Sequence, residues 1–232
     1  MQKETTMSNL MLDVDQAGEL KAAFRRGHWT NGQIKSLCEE DVLSRVRMVI
    51  EGTAEIVVKS VLSLVATVKV AIVGAKKTAD CFIDKTRYCY RDADLDGWLP
   101  EDQSIQPESK FSVQRLNTPA TFKQAVESFL GVTGDIPMLA KTLRERGCVT
   151  TLPTIETLIE QQEGGQDVDL RTNGYANFFF VEEKAENEGE EPSVSVVSAD
   201  RGGGQWGVSV RRLAHDSEWD TEDRFFFRNK TL

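Results

Sequence analysis

Leu62-Ser63-Leu64-Val65-Ala66-Thr67-Val68-Lys69-Val70 can be a membrane helix or a strand, and the two imply different proteins. It lies at the centre of the most apolar part of the chain, residues 56–74, where only Lys59 and Lys69 carry charge. Over those nineteen residues the mean hydropathy is about 2, high enough to flag a membrane helix, and both lysines lie near the ends, where they could snorkel. Against that, Leu62, Leu64, Ala66, Val68, Val70 and Ile72 recur at every second position, while Ser63, Thr67 and Lys69 share the other side. Period two with β-branched enrichment predicts one or two buried strands, and this is the reading favoured over a membrane-anchored protein spanning 56–74.

Outward from this stretch, the N-terminal side reads as short helices. Asp13 or Asp15 can cap a helix carrying Leu20, Ala23 and Phe24, and Gly27 ends it behind Arg25 and Arg26. Thr30 and Gln33 form a capping-box pair for a second helix with Ile34 and Leu37. Val42, Leu43, Val46, Val49 and Ile50 give a third its apolar stripe. The helix, turn, helix order resembles the core of a helix-turn-helix, which opens a second functional reading, a DNA-binding regulator. Residues 1–50 hold seven basic and seven acidic side chains, so no cationic surplus supports it.

On the C-terminal side, Tyr88 and Tyr90 alternate as a strand that runs into Asp92-Ala93-Asp94-Leu95-Asp96-Gly97-Trp98. Three carboxylates at alternate positions ahead of a glycine is a spacing that can wrap a hard cation. Numbered as a twelve-residue calcium loop, Asp92, Asp94 and Asp96 take positions one, three and five, and the Trp98 carbonyl takes seven. Position twelve is Gln103 where a bidentate Glu is expected, although Glu101 and Asp102 lie nearby to close a shorter loop. The candidate metal set is therefore Asp92, Asp94, Asp96, Trp98, Glu101 and Asp102, with calcium as the ion. The competing reading is an acidic turn, because Asp and Gly dominate turns through local hydrogen bonding.

Residues 102–110 read as a polar linker. Beyond them, Thr118-Pro119, Asp135 with Pro137, and Pro153 open three helices, with Gly131, Gly147 and Gly164-Gly165 ending them. The period then changes. Residues 176–181, 193–197, 206–210 and 224–228 predict four strands of an antiparallel meander joined by short polar connections. Two phenylalanine triplets, Phe178-Phe179-Phe180 and Phe225-Phe226-Phe227, place rings on both faces of any strand, so both faces need cover. Intramolecular coverage is the plainer reading, and self-association through the phenylalanine-rich sheet the sharper one.

The chain of 232 residues carries a formal charge of −9, concentrated from Glu163 onward, where 15 acidic side chains face 8 basic ones. That balance argues against a broad nucleic-acid surface. Cys38, Cys81, Cys89 and Cys148 form no C-x-x-C pair, and the histidines, His28 and His215, fall outside zinc spacing, so buried free thiols are expected. Arg201-Gly202-Gly203-Gly204 joins two strands and lacks the Lys-Ser/Thr of a phosphate loop. His215-Asp216 has no nucleophile elbow to complete a triad, and Glu218, Asp220, Glu222 and Asp223 read as surface charge. No catalytic residue and no organic cofactor is expected. The first fifteen residues lack signal-peptide order, which predicts a cytoplasmic protein.

The run from Tyr90 to Gly97 resembles the aspartate-rich calcium repeats of thrombospondin type 3. Gly174-Tyr175-Ala176-Asn177-Phe178-Phe179-Phe180-Val181-Glu182, Arg224-Phe225-Phe226-Phe227-Arg228-Asn229 and Ala23-Phe24-Arg25-Arg26 together resemble uncharacterised proteins of uncultured small-genome bacteria. The second resemblance implies no activity or ligand.

The expected architecture is α+β: a helical module at 1–52, a strand-containing segment with the acidic loop at 53–106, and at 107–232 three helices followed by the meander. The expected function is a non-enzymatic interaction or scaffold protein, with calcium at the loop and an unidentified protein partner.

Overall fold

The computed structural model describes residues 13–27, 29–38, 42–54, 60–185, 187 and 189–229. It divides into two compact units, 1–58 and 59–232.

In the first unit, α1 (Val14–Arg26), α2 (Asn31–Cys38) and α3 (Val42–Ile50) follow one another. Asp13 caps α1 in a full capping box with Gln16, satisfying amide groups that a helix start leaves open. Thr30 and Gln33 make the same exchange before α2, Thr30 N donating to Gln33 Oε1 at 2.8 Å and Gln33 N to Thr30 Oγ1 at 3.3 Å. Phe24 and Trp29 pack with their rings tilted at 55° and centroids 5.3 Å apart. None of the described residues of these helices is buried.

The second unit is built on a mixed seven-stranded sheet: β1 (Leu62–Val70), β5 (Ser109–Leu116), β9 (Arg224–Asn229), β6 (Ala176–Glu182), β7 (Val194–Gly202), β8 (Gln205–Arg212) and β3 (Tyr88–Arg91), in that spatial order. A two-stranded ribbon pairs β2 (Lys76–Lys77) with β4 (Asp102–Gln103). The expected four-stranded meander is corrected by this order. β6, β7 and β8 do form antiparallel hairpins, but β9 returns past β6 and lies parallel to it, with β5 antiparallel on its other side. The chain returns through residues 213–223, which carry Leu213 and Trp219 onto the sheet, where Trp219 packs on Phe178 with centroids 4.7 Å apart. A long crossover this rich in carboxylates cannot be told from a polar turn by strand patterning alone.

The apolar stretch Leu62–Val70 is an edge strand. Residues 56–59 lie outside the described residues; the strand reading holds for Leu62–Val70, where only Leu62, Val68 and Val70 are buried, whereas Ile72 lies beyond the strand and is 72% exposed, and among the described residues no helix is long and apolar enough to cross a membrane. Its period-two face is interrupted by a bulge at Val65, between Leu64 and Ala66. An extra residue exchanges the two faces of a strand. Leu62 consequently joins one core layer, whereas Val68 and Val70 join the other, and Leu64 is left 61% exposed.

Two core layers result, one on each face of the sheet. On one, Phe179 and Phe226 meet Ile155, Leu158 and Ile159 of α7 (Leu152–Glu163) together with Phe82, Leu95 and Leu99. On the other, Phe178, Phe180, Phe225 and Phe227 meet Phe122, Val126, Leu139 and Leu143 of α5 (Phe122–Leu130) and α6 (Ile136–Glu145). Alternation along the strand divides each triplet between the faces, and all six rings are fully buried within the unit. Helices therefore cover both faces of the sheet, and β1, the one strand formed among the described residues of the 56–74 stretch, is an edge of that sheet rather than a cover over it.

Residues 102–110, expected as a linker, contain β4, the start of β5 and the buried side chains of Gln103, Gln106 and Ser109. The β7–β8 hairpin turns through Gly203 and Gly204, with φ of 61° and 90°. Positive φ at successive turn residues is what a glycine pair supplies without strain.

Candidate functional site

The acidic segment leaves β3 at the sheet edge and immediately winds into the single turn of α4 (Asp94–Trp98). Asp92 continues the β3–β8 ladder: its N–H donates to Val208 O at 2.9 Å, and its Oδ2 accepts from Val210 N at 3.3 Å. Asp92 Oδ1 accepts from Asp94 N at 3.1 Å, starting the turn. Leu95 is fully buried, which fixes the helical turn against the core.

Asp96 points to Arg91. Both of its oxygens accept from the guanidinium, at 2.7 and 2.8 Å, and the same arginine donates to Cys81 O at 2.9 Å and Thr78 O at 2.8 Å. This pairing holds the Asp96 carboxyl below the ordinary aspartate range. Trp98 O accepts from Lys184 N at 2.9 Å, and the Trp98 ring lies beneath Arg212, 4.0 Å from its centroid. Glu101 pairs with Lys77 at 3.3 Å on the surface, and Asp102 sits in the β2–β4 ribbon. Gln103, which takes the place of a closing ligand, is buried: its Nε2 donates to Thr78 Oγ1 at 2.9 Å and its Oε1 accepts from Leu152 N at 3.2 Å. The six candidate ligands thus spread along a strand end, a helical turn and a ribbon. Among the described residues, no group of three or more His, Cys, Asp or Glu side chains is placed to hold a metal ion.

The downstream arm of this segment forms one wall of a cavity of about 320 Å³. The remaining walls are the start of α7 at Thr150 and Thr151, the end of β6 at Val181 and Glu182, and Arg228 of β9. Gln106 and Thr150, 3% and 4% exposed, bring polar groups to it. Nothing in strand or helix periodicity marks these residues, because they come together from four separate segments. A second cavity, on the opposite face of the sheet, is lined by Tyr175, Asp200, Arg211, Trp219 and Asp223 among others. Burial raises the carboxyl of Asp200 above its usual value, with Arg211 opposing. Asp223 is a correction to its reading as surface charge. It is buried and accepts from Ala176 N and Asp220 N, both at 2.9 Å, tying the start of β6 to the turn before β9.

Buried thiols were expected at all four cysteines. Cys81 and Cys148 are buried, whereas Cys38 and Cys89 are exposed. Desolvation pushes the Cys81 thiol up to about 12, with Glu156 adding to the shift.

In the N-terminal unit, a groove between α1 and α2 is lined by Ala17, Leu20, Phe24, Trp29 and Ile34, with Lys21, Arg25 and Asn31 at its border. Leu20 and Trp29 are 46% and 43% exposed, and α3 adds Leu43, Val46 and Ile50 to the apolar surface of this unit.

Comparison with protein-family models, curated proteins and solved structures finds no match to this chain.

Proposed function

We propose that this chain is a non-enzymatic interaction protein in which the N-terminal helical unit engages a protein partner and the seven-stranded unit serves as a rigid body. The observation that carries the reading is that α1–α3 bury none of their described residues and present Leu20, Trp29, Val42, Leu43, Val46 and Ile50 at the surface. Scattered exposed apolar residues are ordinary, but a groove floored by Leu20, Phe24 and Ile34 with polar residues at its border has the anatomy of a helix-binding site. The occupant it suits is an amphipathic helix of a partner protein, laid in through residues at helical spacing.

The test uses the full chain immobilised as bait, with Leu20→Glu/Ile34→Glu as the control. Capture of a defined partner by the wild type and its loss in the variant, with the melting of the sheet unit unchanged, is the expected result. Equal capture by both would remove the groove from the reading. A DNA-binding role would use the same helices, and a gel shift at low salt that is lost in Arg25→Ala/Arg26→Ala would favour it instead.

Calcium binding at the acidic loop requires Asp96 to leave a two-pronged pair with Arg91, so the loop is assigned a structural role. Calorimetric titration of calcium into wild type and Asp94→Ala/Asp96→Ala tests that assignment, and saturable heat lost in the variant would reverse it.

A further inference from the structure

The cavity on the Phe178 face of the sheet, about 350 Å³ in volume, carries four carboxylates, Asp200, Glu218, Asp220 and Asp223, against one cation, Arg211. Two of the four are committed to the fold: Asp223 accepts from Ala176 N and Asp220 N, and Asp220 from Glu222 N at 2.9 Å. The side chains of Asp200 and Glu218 make no hydrogen bond or ion pair among the described residues. Arg211 is turned elsewhere, donating to Ser198 Oγ at 3.1 Å and lying over the Trp219 ring, 5.3 Å from its centroid, so it acts on Asp200 only from beyond ion-pair distance. Burial outweighs it and raises the Asp200 carboxyl above the ordinary range. In the β7–β8 register Gly207 stands opposite Asp200, and a Cβ there would lie 3.5 Å from Oδ2. Glycine thus leaves open a flank of the carboxylate that any other side chain would cover.

A half-buried carboxylate without a partner is a cost to the fold that a bound cation removes. A cleft lined mostly by one sign of charge also concentrates the opposite ion. Two kinds of cation compete for it. A metal ion needs several oxygens converging on one point, and among the described residues no such group is present. The two free carboxylates stand on separate walls, Asp200 on the sheet and Glu218 on the crossover that leads to β9. Tyr175, 37% exposed, and Trp219 bring ring surface to the same cavity. Separate carboxylates with apolar surface beside them suit ammonium groups joined by a methylene chain. We propose that this cavity binds a linear aliphatic diamine or polyamine, one ammonium group held by Asp200 and the next by Glu218.

The test titrates the full chain by calorimetry with methylamine, the linear diamines from propanediamine to hexanediamine, spermidine, magnesium and calcium. A diamine or spermidine is expected to bind saturably and about tenfold or more tightly than methylamine, with an optimum chain length that reads the separation of the two carboxylates. Asp200→Asn is expected to weaken that binding by about tenfold or more, the loss of one charge-assisted contact, and Glu218→Gln to bring the best diamine down toward methylamine. Glu190→Gln, an exposed carboxylate outside the cavity, is expected to leave binding unchanged, which separates this site from general attraction to an acidic chain. The proposal is overturned if no amine binds, if Asp200→Asn or Glu218→Gln binds as tightly as the wild type, if Glu190→Gln weakens binding equally, or if magnesium or calcium matches the best diamine. Should one of the two cavity variants fail to fold, the other decides the matter alone.

Discussion

Phe179 and Phe226 stand opposite each other in the parallel strands β6 and β9, their rings stacked at 25° with centroids 4.7 Å apart and both fully buried. They are the centres of the two phenylalanine triplets, and their contact joins the hairpin half of the sheet to the half formed by β1 and β5. Replacing either by alanine is expected to cost about 3–5 kcal/mol, the usual price of emptying a buried ring site. In a double-mutant cycle the pair should show a coupling of about 0.5–1.5 kcal/mol beyond the separate losses. Urea unfolding of the two single variants and the double variant measures both.

Arg91 ties three carbonyl and carboxylate groups together at the acidic turn. Arg91→Ala is expected to destabilise by about 1–3 kcal/mol, since the carbonyls of Cys81 and Thr78 lose a donor along with Asp96. The Asp96 carboxyl is depressed by Arg91, so its contribution is present above the unfolded value of about 3.9 and is lost as pH falls through the lower folded value. The stability gap between wild type and Asp96→Asn should therefore be constant near neutrality and narrow in acid. Millimolar calcium should leave the melting temperature of the wild type unchanged.

Asp200 behaves in the opposite sense. Its carboxyl is raised mainly by burial, so the folded state gains relative to the unfolded state when this group is protonated, and that gain fades as pH rises through the raised folded value. Asp200→Asn should raise the melting temperature at pH 7, and its advantage should shrink toward pH 3. A melting series across that range reads the sign directly.

Thiol chemistry separates the cysteines by position. Cys38 and Cys89 are exposed and should react with a water-soluble disulfide reagent in the native protein, while Cys81 and Cys148 react only on unfolding. Burial holds the Cys81 thiol near 12, so raising the pH to 9 should not expose it to the reagent. Mass spectrometry of the labelled peptides gives the assignment.

Local chemistry was legible in the sequence wherever one segment carries its own signal. The capping boxes at Asp13 and Thr30, the Asp135 cap and the Gly131 terminator with φ of 67° all lie where short-range spacing predicts them. The first helix of the middle segment starts later than its Thr118-Pro119 signal, because Thr121 makes the capping box, with Gln124. The four C-terminal strands are also present, but their order is not, since the place of β9 depends on which partner completes a face and no local pattern encodes that choice. β5 escaped because Ser109, Ser112 and Gln114 dilute its apolar residues, although Phe111 and Val113 alternate with them. The acidic loop misleads for a related reason. Alternate carboxylates signal a cation equally well whether that cation is a metal or, as for Asp96, an arginine five residues away. The Arg228 cavity had no signal at all, being assembled from a loop, a helix start and two strand ends.

The position of β9 also bears on how the chain comes into being. Among the described residues it is the latest of the strands in the sequence, yet it sits between β5 and β6, and no other described strand joins the two halves of the sheet. During synthesis those halves must wait, each with an open edge, until residues 224–229 leave the ribosome. Pairings this distant in sequence are slow to form. The period before closure is when this protein is most exposed to aggregation and most in need of a chaperone.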